Sequence, residues 1–242
     1  MKLTINCDMG ESYGLYRMGD DAAVMPFINV ANVACGFHAS DPTVMRKTVR
    51  LAKEHGVAVG AHPSLPDLQG FGRREMKMSR DELAACVIYQ VGALKAFLDA
   101  EGMTLNHIKP HGALYGMAAR DEDVAHAVCD AADGFGVKLF GMGGTVHEQV
   151  YTARGFDFVY EFYADLDYGA NGQLIITREH EAKEVGAVVE RVLRAVNEGK
   201  VASVDGGPDI EVRAESVCVH SDTPNAVELA REVHGALEEH LH

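Results

Sequence analysis

Acidic and histidine side chains recur in this sequence directly after short apolar runs, where they could act together on one substrate. The catalytic candidates are Asp8, Glu11, His38, His62, Lys109 and His111. Carboxylates and imidazoles can orient a water and move its protons, and a lysine inside an apolar run is costly to bury unless it is paired. Any single one of them could instead cap a helix or be structural. Their recurrence at successive run ends predicts a hydrolytic site.

A second set of polar residues is predicted to hold the substrate, and it consists of Asn6, Arg73, His220 and Asp222. Arg73 and its neighbour Arg74 could grip a carboxylate or phosphate in a bidentate way, although ordinary surface charge would give the same pair. The glycine-rich stretch 141–145 could also bind an anion through backbone amides at the start of a helix.

A further interpretation is that some of the same residues bind a divalent metal ion. Oxygen and nitrogen ligands of the kind that Zn²⁺ accepts come from Asp8, His38, His62 and His111. These positions lie far apart in the sequence, so only their geometry can decide whether they meet around an ion.

The elements that must position these residues are short strands alternating with longer helices, a pattern typical of parallel βα units. The predicted strands are Leu3 to Cys7, Ile28 to Ala34, Val57 to Ala61, Asn106 to Pro110, Val137 to Gly141, Phe156 to Phe162 and Ser216 to His220. Seven such strands favour an α/β barrel, with a doubly wound open sheet as the alternative. In both folds the carboxyl ends of the strands converge on one site.

Capping signals predict where several helices begin and end. Asp41-Pro42 starts one helix, which Gly56 ends, and Ser79 to Glu82 is a capping box that opens a long one. Further helices are predicted to begin at a second capping box, Thr145 to Glu148, and at Thr223-Pro224, and one is predicted from Arg178 to Gly199.

Composition limits the classes of function. The chain has 242 residues and a formal net charge of −14, which disfavours binding to nucleic acid or anionic membranes. We expect one domain over residues 1–242, with no secretion signal and no stretch apolar enough to span a bilayer. Five cysteines without a C-x-x-C pair favour reduced thiols and a cytoplasmic protein. The sequence contains neither a P-loop nor a G-x-S-x-G elbow.

Long motifs spread over the whole chain resemble the LamB/YcsF family, whose members are known as the A subunit of 5-oxoprolinase. They are residues 6–14, 31–42, 60–63, 67–74, 109–115 and 219–224. The resemblance implies a TIM-like, seven-stranded (β/α) barrel of the glycoside hydrolase/deacetylase type. It also implies ATP-dependent opening of 5-oxoproline to L-glutamate, with subunits B and C as partners. One loop departs from the family pattern, since Leu166 stands where an arginine is expected and Arg178 lacks its preceding proline.

The resulting hypothesis assigns Asp8 or Glu11, helped by His38 or His62, to deprotonate the attacking water. Lys109 and His111 would stabilise developing charge, Arg73 would hold the substrate carboxylate, and His220 and Asp222 would complete the rim. ATP would be bound or used with the partner subunits. Two alternatives stay open: a metal-dependent deacetylase or amidohydrolase that needs no ATP, and a non-catalytic subunit that binds a small acid.

Overall fold

A closed barrel of seven parallel strands organises the structure, a computed structural model that describes residues 3–175 and 181–241. Strand β1 (Thr4–Met9) pairs in parallel with both β2 (Val30–Ala34) and β11 (Ser216–His220), and this double pairing closes the barrel. Between them lie β3 (Ala58–His62), β4 (Leu105–Ile108), β5 (Lys138–Gly141) and β6 (Phe158–Tyr163). The predicted seven-stranded barrel is confirmed, and the open sheet is excluded.

Eight α-helices within the described residues accompany the barrel, and several begin at the predicted caps. They are α1 (Asp21–Val24), α2 (Pro42–His55), α3 (Arg80–Ala100), α4 (Gly112–Ala118), α5 (Glu122–Ala132), α6 (Val146–Ala153), α7 (Val185–Glu198) and α8 (Ala226–Leu237). The Asp41 side chain accepts two amide hydrogen bonds at the start of α2, and Ser79 and Glu82 form the reciprocal capping box of α3. Both of these predicted starts are confirmed.

Three local predictions differ from the structure. Thr145 caps α6, but the Glu148 carboxylate accepts from Gly144 N–H and from the Tyr160 hydroxyl instead of closing a capping box. Helix α8 begins at Ala226, after Thr223-Pro224. Helix α7 begins at Val185, and its predicted start at Arg178 lies outside the described residues.

Two small antiparallel sheets, which the sequence pattern did not predict, lie between β6 and β11. One pairs β7 (Asp167–Tyr168) with β8 (Leu174–Ile175), and the other pairs β9 (Lys200–Val201) with β10 (Ile210–Glu211). Each strand has only two residues, which is too short to show an alternating pattern. These sheets interrupt the regular βα order just before the last barrel strand.

Helix α3 is long and apolar enough, by length and composition, to cross a membrane. The prediction that no stretch has this composition is therefore wrong. In the fold, however, α3 packs against α5 and against β3 and β4, and it buries Leu83, Val87 and Leu94. Burial of one face only is typical of a helix in the outer layer of a (β/α) barrel.

The barrel interior is apolar at one end and polar further along. At the amino ends of the strands, Val30, Phe140 and Val159 form a small buried cluster with Ala58 packed against it. Two positions further along β2 and β6, on the same face, lie the buried polar side chains of Asn32 and Glu161. The main apolar core is a separate and larger cluster, so the inside of the barrel is free to carry polar chemistry.

Gly60 in β3 makes room for one of these interior side chains. A Cβ at this position would lie 2.0 Å from Cε1 of His107, whose ring stacks on Phe140 with centroids 4.0 Å apart. The imidazole therefore occupies the space that a side chain on β3 would need.

We expect Gly60→Ala to lower the free energy of unfolding by about 1–3 kcal/mol, because the added methyl group overpacks the interior. Chemical denaturation monitored by circular dichroism measures this change. Gly92→Ala is the matched control, since a Cβ there meets nothing within 4 Å and alanine favours the α3 helix. Equal stability of Gly60→Ala and the wild-type protein would contradict the packing described here.

Candidate functional site

A buried ion group forms the floor of the site. The Lys109 ammonium lies 2.7 Å from Oε1 of Glu161 and 3.0 Å from Oδ1 of Asp8, and all three side chains are almost fully buried. Burial alone lowers the pKa of Lys109, but the negative charges of the Asp8 and Glu161 carboxylates hold that pKa well above its ordinary value. Lys109 is therefore a charged ammonium between two carboxylates.

Amide side chains of neighbouring strands form hydrogen bonds with this ion group. Asn32 Nδ2 donates to Oδ1 of both Asn6 and Asp8, at 2.8 Å each, and Asn32 Oδ1 lies 2.7 Å from Nε2 of His107. Asn6 in turn donates to Ser216 and is fully buried. Although Asn6 was predicted to bind substrate, it lies beneath the pocket and does not line it, which fits a positioning role.

The second oxygen of Asp8 faces two histidines. Oδ2 lies 3.2 Å from Nε2 of His62 and 3.7 Å from Nε2 of His220. Burial raises the pKa of Asp8, but the charges of His62 and Lys109 outweigh burial and hold it well below its ordinary value. Asp8 is therefore an ionised carboxylate at the pocket floor.

Next to Asp8 lies a cluster of three histidines and a second carboxylate. His38 Nε2 and His111 Nδ1 lie 3.1 and 3.4 Å from Oε1 of Glu11, and His111 Nδ1 lies 3.0 Å from Nε2 of His62. Burial and the charges of Asp8 and Asp222 raise the pKa of Glu11 well above its ordinary value. Burial is the largest cause that lowers the pKa of His38 and of His111 well below the ordinary value, and the close approach of the neighbouring imidazoles acts in the same direction, because two positive rings would repel each other.

The loop after β3 closes over this cluster with its backbone. The Phe71 carbonyl accepts from His111 Nε2 at 2.8 Å. Gly72 has φ +65°, and a Cβ there would lie 2.2 Å from Oγ of Ser64 and 2.8 Å from Cβ of His38. Both the left-handed conformation and the close approach require glycine.

The rim of the site contains the remaining substrate-binding candidates, and each is held by an ion pair. Arg73 lies 2.8 Å from Oδ2 of Asp222, with both side chains largely buried. His220 Nδ1 lies 2.8 Å from Oδ1 of Asp165, whose other oxygen accepts from the backbone N–H of His220. Burial lowers the pKa of His220, but Asp165 outweighs this and raises it above the ordinary value. His220 therefore has a fixed ring with Nε2 turned towards Asp8.

Sequence reasoning missed four supporting residues, Asn32, His107, Glu161 and Asp165. A signal existed for Glu161, because it is a charged residue inside the apolar strand β6, as Lys109 is after β4. Asp165 follows β6 just as Asp8 lies near the end of β1, so its place after a strand was also informative. Asn32 and His107 carry no such signal, since neutral polar residues are common in strands.

Within residues 3–175 and 181–241, two groups of side chains could hold a metal ion. One contains Glu11, His38, His62 and His111, and the other contains Asp8, Cys218 and His220. The structure thus brings the three predicted histidine ligands together, but it groups them with Glu11 while Asp8 lies beside them. The second group suits a cation poorly, because Cys218 Sγ lies 3.1 Å from the Lys109 ammonium.

The site opens through a small pocket into a wide groove. The pocket, of about 30 Å³, is lined by Asp8, His62, Lys109, His111 and His220, and Arg73 and Leu174 line both spaces. The groove has about 840 Å³ and runs past the glycine-rich loop after β5. In that loop the Gly144 N–H already donates to Glu148, so the amide is taken by a carboxylate of the chain itself.

We expect Lys109→Met to lower the free energy of unfolding by about 3–5 kcal/mol, because it leaves two buried carboxylates without their cation. Adding Glu161→Gln to Lys109→Met removes one of these charges and should recover part of the loss. Chemical denaturation of both variants tests this, with Asp99→Asn as a control that breaks only the exposed Lys95–Asp99 pair. A double variant no more stable than Lys109→Met would contradict the described charge balance.

Several known proteins are similar to this chain in sequence or fold over nearly their whole length. The sequence matches the LamB/YcsF family over residues 3–242. It is 47% identical over 244 residues to the lactam utilization protein lamB of Emericella nidulans, covering 98% of this chain and 95% of that protein. It is 49% identical over 249 residues to the 5-oxoprolinase A subunit of a Thermus thermophilus strain, covering 99% and 97%. The crystal structure of the lactam utilization protein from another strain of Thermus thermophilus superposes with a TM-score of 0.90 at 46% identity, covering 99% of this chain and 97% of that chain. This chain therefore belongs to the LamB/YcsF family.

Proposed function

We propose that this chain opens the lactam ring of 5-oxoproline to give L-glutamate, as the hydrolytic component of an ATP-dependent 5-oxoprolinase. The observation that carries the proposal is the ionised Asp8 carboxylate, which lies at the pocket floor between Lys109 and His62. The names of the relatives, lactam utilization protein and 5-oxoprolinase A subunit, support a cyclic amide as the substrate.

The two candidate bases, Asp8 and Glu11, differ in charge, and we choose between them on this basis. Asp8 has a lowered pKa and is ionised, whereas Glu11 has a raised pKa and favours the protonated form. A proton acceptor must be deprotonated before it acts. We therefore assign the Asp8–His62 pair to orient the attacking water and to accept its proton.

The reaction balances when the lactam oxygen is first phosphorylated by ATP. Water then adds to the ring carbon, its proton passes to the Asp8–His62 pair, and the carbon–nitrogen bond breaks. His220, whose raised pKa favours the imidazolium, gives a proton to the departing nitrogen. A second water hydrolyses the resulting acyl phosphate to glutamate and phosphate, so each turnover consumes one ATP and two waters.

Cationic side chains around the pocket suit this chemistry. Lys109 lies where it can stabilise negative charge that develops on the oxygen atoms bound to the reacting carbon. Arg73 is the candidate partner for the substrate carboxylate, for which it would exchange its bond to Asp222. His111 lines the same pocket beside Lys109.

Partner subunits are part of the proposal because phosphate-binding features are weak in this chain. The sequence has no P-loop, and the amide of Gly144 in the glycine-rich loop is taken by Glu148. The groove beside the pocket is lined by carboxylates, including Glu75 and Glu211, and its arginines, Arg73, Arg120 and Arg213, each pair with a carboxylate of the chain. These observations favour activation of the lactam with subunits B and C, and the lettered subunit name of the relatives supports a complex of several chains.

The second candidate function is a metal-dependent amidohydrolase that needs no ATP. The observation that favours it is the group of four donor side chains beside Asp8, whose ligand atoms all lie within 4.8 Å of one another. Such a group could polarise an amide and activate water without phosphorylation. ATP dependence therefore separates the two candidates.

An omission assay tests the proposed function. The chain is mixed with candidate subunits B and C, ATP and 5-oxoproline, and glutamate is measured while each component is left out in turn. We expect glutamate only from the complete mixture. Glutamate formed by the chain alone without ATP would favour the second candidate, and unchanged turnover in the absence of this chain would contradict a catalytic role.

We expect Asp8→Asn to lower kcat of the reconstituted complex by about 10²–10⁴-fold, because the amide cannot accept the proton of the water. Asp99→Asn, on the exposed face of α3, is the control and should keep wild-type turnover. Circular dichroism of both variants separates lost catalysis from lost fold. A folded Asp8→Asn variant with wild-type kcat would eliminate the assigned role.

A further inference from the structure

The hydrogens of the Lys109 ammonium are already taken up by the protein. An ammonium carries three of them, and four acceptor atoms surround it: Oε1 of Glu161 at 2.7 Å, Oδ1 of Asp8 at 3.0 Å, Sγ of Cys218 at 3.1 Å and Oδ1 of Asn6 at 3.3 Å. Lys109 can therefore act on a substrate oxygen through its charge, but a direct hydrogen bond to that oxygen would cost it one of these contacts.

Other donors in the pocket lining are committed as well. His62, His111 and His220 each hold a backbone carbonyl or a carboxylate with one ring nitrogen and turn the other towards a side chain of the site. Tyr163 gives its hydroxyl hydrogen to Oε2 of Glu161 at 3.0 Å. A substrate oxygen that bonded any of these groups would break an existing interaction.

The hydroxyl of Tyr115 is different. Tyr115 lies near the start of α4, four residues after His111, so the two side chains share one side of that helix. The residue is 2% exposed and lines the pocket with Lys109 and Tyr163. Within residues 3–175 and 181–241 its hydroxyl has no hydrogen-bond partner, because the nearby Tyr163 hydroxyl does not reach hydrogen-bonding geometry.

This unpaired hydroxyl points to a bound molecule as its partner. Burying a hydroxyl without a hydrogen bond is unfavourable, and folded proteins contain few such groups. The pocket of about 30 Å³ has room for about two waters, so a lactam must displace lining side chains when it enters and comes to lie against the rest. Burial is the largest cause that raises the pKa of Tyr115 well above its ordinary value, so the hydroxyl keeps its hydrogen and can donate it.

We propose that Tyr115 is a catalytic residue whose hydroxyl donates a hydrogen bond to the oxygen on the ring carbon while the water adds. This inference rests on the proposed function. Asp8 and His220 belong to β1 and β11, whereas Lys109 and Tyr115 come from the segment after β4, across the barrel. The attacking water and the oxygen of the reacting carbon can thus be served from different sides of the pocket. The hydrogen stays on the phenol oxygen, so the balance of the reaction is unchanged.

Tyr115→Phe in the reconstituted complex tests the role, because this variant keeps the ring and removes only the hydroxyl. We expect kcat for glutamate formation from ATP and 5-oxoproline to fall by about 10²–10³-fold, with a much smaller change in KM, as is typical when one donor to a developing oxyanion is removed. Tyr151→Phe is the matched control. Tyr151 also buries a hydroxyl without a partner among the described residues, but it lies on α6 and does not line the pocket, so kcat should stay at the wild-type value.

Chemical denaturation separates a donor to the substrate from a structural hydroxyl. We expect Tyr115→Phe to keep the wild-type denaturation midpoint, because the free protein loses no hydrogen bond. Tyr163→Phe loses the bond to Glu161 and should have a lower midpoint. A Tyr115→Phe variant that is destabilised as much as Tyr163→Phe, or that does not fold, would overturn the inference, since the hydroxyl would then already have a partner in the free protein.

The kinetic outcomes distinguish this inference from the proposed function. An active wild-type complex with unchanged kcat in Tyr115→Phe overturns the role of Tyr115 and leaves lactam opening standing. An equal loss of kcat in Tyr151→Phe also overturns the role, because the loss would then come from packing. A wild-type complex that forms no glutamate overturns the proposed function and this inference with it.

Discussion

The ion group of Lys109, Asp8 and Glu161 is the constraint on which the rest of the site depends. Barrel interiors are usually filled by branched apolar side chains, and a charge placed there is expensive unless it is paired. In this barrel the ammonium lies within 3.0 Å of both carboxylates. The ammonium offsets part of the negative charge of the two carboxylates, and the amide and hydroxyl groups next to them are buried with their hydrogen bonds made.

The same group separates the behaviour of two carboxylates that lie close together in the sequence. Asp8 is next to the ammonium and has a lowered pKa, whereas Glu11 has a raised one. Position relative to His62 and Lys109 on one side and to Asp8 and Asp222 on the other thus matters more than residue type. One carboxylate stays charged and oriented towards the pocket, and the other lies beside His38 and His111, whose pKa values burial lowers.

The barrel was predictable because its signals are local and repeated. Apolar runs followed by capped helices extend from β1 to β6, and the caps at Asp41 and Ser79 form as the sequence predicts. Where a competing partner exists, local signals fail: Glu148 binds the Tyr160 hydroxyl and the Gly144 amide, and so leaves the capping box of α6 unformed. The catalytic candidates could be found from strand ends. Their pairing with Glu161 and Asp165 could not, since it depends on register across the barrel.

The loop after β3 contacts the histidine cluster through its peptide groups and through the ring of Phe71, whose centroid lies 5.5 Å from that of His38 and 5.1 Å from that of His111. The carbonyl of Phe71 fixes the ring of His111, while Gly72 presents no side chain to His38. A carbonyl is common to every residue type, so the bond to His111 Nε2 depends on the shape of the loop, whereas the edge-on ring contacts require an aromatic side chain at position 71. Evolution can therefore alter the outward-facing side chains of the loop without changing the tautomer of His111, as long as the glycine bend is kept.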